Sequence, residues 1–133
     1  MRDDALQAET LARESYQDPL VVESREQGHK HLTVYVREVL EWTQATSLSR
    51  AISERLGGRY VVGVRRVCPR CLLPPCSGAC PGIDVPLAER MAHYDRAIAD
   101  LPQEMLEHLG RWHAPNSWQW VMLGELWHER EGS

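Results

Sequence analysis

The residues best suited to chemistry in this chain sit in one short run, Cys68-Pro69-Arg70-Cys71-Leu72-Leu73-Pro74-Pro75-Cys76-Ser77-Gly78-Ala79-Cys80-Pro81, which holds all four cysteines of the protein. Their spacing, C-x2-C-x4-C-x3-C, places four soft thiolate ligands within thirteen residues. Pro74, Pro75 and Gly78 keep the backbone between them out of regular helix or strand, which suits a loop wrapped around a metal. Cys68, Cys71, Cys76 and Cys80 are therefore the candidate metal ligands. Four thiolates satisfy a tetrahedral zinc ion and close its coordination shell, so a zinc site of this composition is structural. They also satisfy a [4Fe-4S] cluster, which would make the chain an electron carrier or redox sensor. Ligand count and spacing favour Zn2+, with the iron–sulfur cluster as the alternative.

Locally the run resembles the cluster-binding segment of the ferredoxin-like iron–sulfur subunits that serve molybdopterin oxidoreductases. In that family C-x2-C-x4-C-x3-C-P recurs with a proline in the four-residue gap, as Pro74, Pro75 and Pro81 stand here. The resemblance covers about fourteen residues, and those folds use several such runs, because the fourth cysteine of each ligates the partner cluster. This chain has one run, so the topology would leave Cys80 stranded. The run is also similar to the zinc knuckle, C-x2-C-x4-H-x4-C, with Cys76 in place of the histidine and a last gap shorter by one.

Other constellations are weaker. His29 and His31 lie in a polar stretch that explains them as exposed imidazoles. Glu125 and His128 have the Glu-x-x-His spacing of a di-iron helix, but that site requires a second such helix and two further core glutamates, and the other occurrence, Glu26-Gln27-Gly28-His29, lies where Gly28 weakens a helix. Without a Gly-rich phosphate loop, a Ser-His-Asp order or a cysteine outside the metal run, no catalytic residue is expected. A closed four-thiolate site has no open position for catalysis either.

Charge points to binding. The formal net charge is -4, yet Arg50, Arg55, Arg59, Arg65, Arg66 and Arg70 meet only Glu54 in the segment that leads into the cysteines. Arg59, Arg65, Arg66 and Arg70 are candidate phosphate contacts for a nucleic acid, although the acidity of the whole chain favours a solvated strand face. Trp112, Trp118, Trp120 and Trp127 crowd the C-terminal end of a chain without phenylalanine. Trp118 and Trp120 stand about 200° apart on a helical wheel, so Trp118, Trp120 and Trp127 cannot share one buried stripe. At least one is expected to face a protein partner.

These residues need elements to position them. A chain of 133 residues, 43% apolar, fits one domain over 1–133 with a core of its own. Leu6, Leu11 and Tyr16 predict an N-terminal helix over 2–16, ended by Asp18-Pro19. Residues 23–31 read as a polar loop. Leu-Thr-Val-Tyr-Val predicts a strand at 31–37, turning helical towards Trp42. A helix follows, capped by Thr46 or Ser47, with Leu48, Ala51, Ile52 and Leu56 on its apolar face and Gly57-Gly58 as its stop. Residues 59–67 predict a second strand that delivers Cys68 into the metal loop at 68–81.

Beyond the loop, a helical C-terminal half covers 84–130. Its first helix is capped by Asp84, with Pro86 in its first turn and Leu87, Met91, Tyr94 and Ile98 on one stripe. A short helix at 102–109 closes at Gly110, and a last one opens at Pro115-Asn116-Ser117. The expected class is α+β: a two- or three-stranded sheet, a four-cysteine metal loop and helices. No apolar run reaches a membrane span and the start lacks a secretory layout, so the expectation is a cytoplasmic protein, with no membrane partner. In that reducing compartment clustered cysteines hold metal more readily than they form disulfides. The functional expectation is a small zinc-stabilised adaptor or regulatory protein that binds a protein partner.

Overall fold

The computed structural model describes residues 2–68, 72 and 84–132. Among them are five helices and a three-stranded sheet, an α+β architecture with a helical C-terminal half. The chain divides into two compact units, Met1–Val67 and Cys68–Ser133.

The first unit is one sheet covered on one face by two helices. Helix α1 (Arg2–Ala12) carries Asp3 and Asp4 in its first turn, where carboxylates complement the exposed N–H groups. It stops short of the expected Tyr16, although a last turn follows in which the Tyr16 N–H bonds the Ala12 carbonyl at 2.9 Å. Asp18, in the left-handed region at φ 44, then redirects the chain ahead of Pro19. Strands β1 (Leu20–Glu26) and β2 (His29–Val36) form an antiparallel hairpin. The expected loop over 23–31 is thus a hairpin, turned by Gln27 and Gly28 at φ 52 and 81. Two consecutive positive φ values suit the two-residue turn whose twist matches that of paired strands.

Helix α2 (Trp42–Arg55) carries the chain from β2 across to β3 (Val61–Arg66), which pairs parallel to β2. The helix starts earlier than Thr46, because the Glu41 carboxylate accepts from the N–H groups of Thr43 and Gln44 at 3.2 and 2.7 Å. Those bonds hold the Glu41 carboxyl below its usual range. Its end is as expected. Gly57 and Gly58 take φ 68 and 71, and their N–H groups return to the carbonyls of Glu54 and Ser53.

Sheet order is β1-β2-β3, which makes β2 central. Leu32, Val34 and Val36 alternate along it and are fully buried against Ala8 and Ala12 of α1 and Leu48, Ile52 and Leu56 of the α2 end. Each such side chain contributes about 1.5–3 kcal/mol by leaving water, which fixes the register of the central strand. Ala51, expected on this face, is exposed.

The second unit contains α3 (Leu87–Ile98), α4 (Gln103–Trp112) and α5 (Trp118–Glu131), with α5 packed on both of the others. Pro86, not Asp84, is the N-cap of α3, and its carbonyl accepts from Glu89 and Arg90. Tyr94 and Ile98 of the expected stripe are buried, whereas Leu87 at its start is exposed. Helix α4 runs through Gly110. Leu106, Leu109 and Trp112 are buried at three-residue spacing, and burial of Trp112 outweighs the roughly 1 kcal/mol that a mid-helix glycine costs. Ser117 caps α5 by accepting from the Trp120 N–H. From the far end of α5, Arg130 donates to the carbonyls of Ala99, the C-cap of α3, at 2.8 Å and of Leu101, in the link to α4, at 2.5 Å. Among the described residues no helix is long and apolar enough to cross a membrane.

Candidate functional site

Strand β3 leads directly to the cysteines, as its sequence predicts. The Val67 N–H bonds the Val36 carbonyl at 2.9 Å, so pairing continues to the residue before Cys68. Cys68 is half-buried. The Leu72 N–H bonds the Cys68 carbonyl at 2.8 Å. Leu72 holds φ 56, a left-handed conformation that costs a side-chain-bearing residue about 1–2 kcal/mol. Cys71, Cys76 and Cys80, with Arg70, lie outside the described residues. Among the described residues no group of three or more His, Cys, Asp or Glu side chains is close enough to hold a metal ion.

The described candidate arginines do not share one surface. Arg59 is engaged by Asp4 of α1, its two terminal nitrogens meeting the two carboxylate oxygens at 3.3 and 3.2 Å. The Tyr60 hydroxyl donates to the same carboxylate at 2.7 Å. That bond, with Arg59 beside it, holds the Asp4 carboxyl below its usual range, and it pushes the Tyr60 hydroxyl up to about 12. Lys30 and Arg59 both lie over the Tyr60 ring, at 5.7 and 5.8 Å from its centre. Arg65 and Arg66 are consecutive on β3 and exposed, so they extend from opposite faces of the sheet. Arg66 also donates to the Arg37 carbonyl at 3.4 Å.

Of the three candidate partner-binding tryptophans, Trp120 is the exposed one, at 40%, next to Val121 at the same exposure. Trp118 and Trp127 are half-buried. Trp118 stands edge-on to Tyr94 with ring centres 5.4 Å apart, and the Tyr94 hydroxyl bonds His113 at 3.0 Å. Among the histidines, His108 is buried with Nδ1 2.8 Å from an Arg111 nitrogen. A guanidinium only donates, so in this contact Nδ1 accepts and the neutral ring carries its proton on Nε2.

Sequence reasoning missed a surface on the first unit. Trp42, Ala45, Thr46 and Ser49 recur at helical spacing along α2 and, with Leu40 and Val64, line an open groove of about 400 Å³. Trp42 is 79% exposed and Val39 73%. A tryptophan in the first turn of a helix, outside its Leu48-Ile52 stripe, was the available signal. Comparison with protein-family models, curated proteins and solved structures yields no match to this chain.

Proposed function

We propose that the chain is a small zinc-stabilised interaction protein, of adaptor or regulatory type, that binds a protein partner. Cys68, Cys71, Cys76 and Cys80 would supply the four thiolates, and the metal would close the loop that follows β3 in sequence and precedes α3. The C-x2-C-x4-C-x3-C spacing carries this reading, and the bond from the Leu72 N–H to the Cys68 carbonyl, just past the end of the paired strand, supports it. Each flanking unit has buried residues of its own, so the metal is assigned a clamping role rather than a catalytic one. Exposed Trp42 on the first unit and exposed Trp120 on the second are each of the aromatic kind that protein interfaces favour. A protein partner fits better than a nucleic acid, because Asp4 neutralises Arg59 and the adjacent Arg65 and Arg66 diverge.

Zinc content is the test for the clamp. About one zinc per chain, lost in Cys71→Ser, agrees with it; a brown protein absorbing broadly near about 400 nm overturns it in favour of the [4Fe-4S] alternative. For the interaction, affinity capture with the full chain and with Trp120→Ser and Trp42→Ser variants is informative. A partner lost with either tryptophan supports the reading, and identical capture by all three chains contradicts it.

A further inference from the structure

Among the described residues strand β3 is an edge strand, and its hydrogen bonds reveal which backbone groups point outward. In a parallel ladder the N–H and C=O of one residue point to the same side, alternating along the strand. The bond from the Val67 N–H to the Val36 carbonyl turns the odd-numbered residues towards β2. Val62, Val64 and Arg66 therefore direct their N–H and C=O groups away from the sheet. The Ser49 hydroxyl agrees with this parity by donating to the Val62 carbonyl at 2.9 Å. That bond covers one outward group near the start of the strand. The outward groups of Val64 and Arg66 lie further along, beside the groove that Val64 lines.

Charge selects what pairs there. An edge strand ending in Arg65 and Arg66 repels the same cationic end of a second copy, whereas a strand of opposite sign is attracted. A strand added beside Val64, Arg65 and Arg66 would set one side chain on the helix-covered face, over the groove between α2 and β3. Its next two residues along would stand beside Arg65 and Arg66 on opposite faces. Ala45, Thr46 and Ser49 are small, which leaves room for an apolar side chain against Trp42 and Leu40.

We propose that the outer edge of β3 and the groove beside it bind an extended acidic segment of the partner protein as a fourth strand, with one apolar side chain in the groove and adjacent carboxylates at Arg65 and Arg66. This rests on the interaction reading above and names the partner chemistry for one of its surfaces. Main-chain hydrogen bonds would supply affinity, and the groove and arginines specificity.

The test is fluorescence-anisotropy binding of the full chain to a labelled octapeptide, Val-Thr-Val-Glu-Glu-Val-Thr-Val, which reads the same in both directions and so serves either strand polarity. Saturable binding is expected, weakened about tenfold or more by the double variant Arg65→Glu/Arg66→Glu, since two exposed ion pairs become repulsions. Replacing both peptide glutamates by lysine should abolish binding to the natural chain and restore it to the double variant. Methylating alternate peptide nitrogens, on whichever side faces β3, should abolish it without changing charge. Val64→Pro, tolerated on an edge where that N–H faces solvent, should also weaken binding, with circular dichroism reporting an unchanged fold. No binding, or binding indifferent to methylation in both registers, overturns the edge-strand proposal. Partner capture that depends on Trp120 but survives Arg65→Glu/Arg66→Glu would overturn it while leaving the broader interaction reading standing.

Discussion

The Tyr60 hydroxyl donates to Asp4 Oδ2 at 2.7 Å, joining the first turn of α1 to the residue before β3 across most of the first unit. Arg59 completes the contact from the neighbouring position. An arginine that sequence places among candidate phosphate contacts is thereby committed to a carboxylate within its own unit.

This contact predicts how the first unit responds to pH at both extremes. The Tyr60 hydroxyl is raised to about 12, so above the ordinary tyrosine value of about 10 the unfolded chain ionises while the folded one holds its proton. Stability is fully present below about pH 10 and falls as pH rises towards about 12. Asp4 is lowered, so its contribution is present above the unfolded carboxyl value and is lost as pH falls through the folded one. Urea midpoints measured against pH should show both slopes. Tyr60→Phe should remove the contact's share of the alkaline slope, and Asp4→Asn its share of the acidic one. Unchanged slopes in both variants would contradict the assignment.

Gly110 offers a stabilising change in the second unit. It lies inside α4, it has a negative φ, and an added Cβ meets nothing within 4 Å. Gly110→Ala should raise stability by about 0.5–1 kcal/mol, read as a higher thermal midpoint, because alanine has less backbone freedom to lose.

Arg130 should matter in the opposite sense. Its guanidinium serves the Ala99 and Leu101 carbonyls and approaches Gln103 Oε1 at 3.4 Å. Arg130→Met keeps much of the aliphatic stem and removes the donors, at a cost of about 1–3 kcal/mol. Hydrogen exchange should quicken at the end of α3 before it does in the middle of that helix.

Leu72 provides a backbone test of the cysteine segment. Leu72→Gly accommodates φ 56 without a Cβ and should leave metal content unchanged. Leu72→Pro removes the N–H that bonds Cys68 and fixes φ near about -65°, so metal should leave faster to a chelator. Equal release rates from the two variants would separate the turn from metal retention.

What was legible in the sequence follows from where burial dominates. The alternation of Leu32, Val34 and Val36 and the spacing of Leu48, Ile52 and Leu56 mark β2 and α2, because those side chains form the core. The far half of strand β1 was hidden: Glu23-Ser24-Arg25-Glu26 looks like a loop, and it is a strand because it pairs with β2, while the apolar contacts of β1 come from Leu20 and Val21 at its start. The start of α2 was obscured by a glutamate acting as cap, and the extent of α4 by a glycine that the burial of Trp112 overrides. The four-cysteine ligand set is a proposal from local spacing alone, because Cys71, Cys76 and Cys80 lie outside the described residues. The groove beside β3 could not be read, since Ala45, Thr46 and Ser49 carry no binding signal until β3 is known to be an edge.

The most direct test of the zinc-clamped account is elemental analysis of the full chain purified anaerobically without added metal. It predicts about one zinc per chain, absent iron and acid-labile sulfide, and loss of that zinc in Cys71→Ser. Iron and sulfide in equal amounts, or a metal-free protein that folds unchanged, would contradict it.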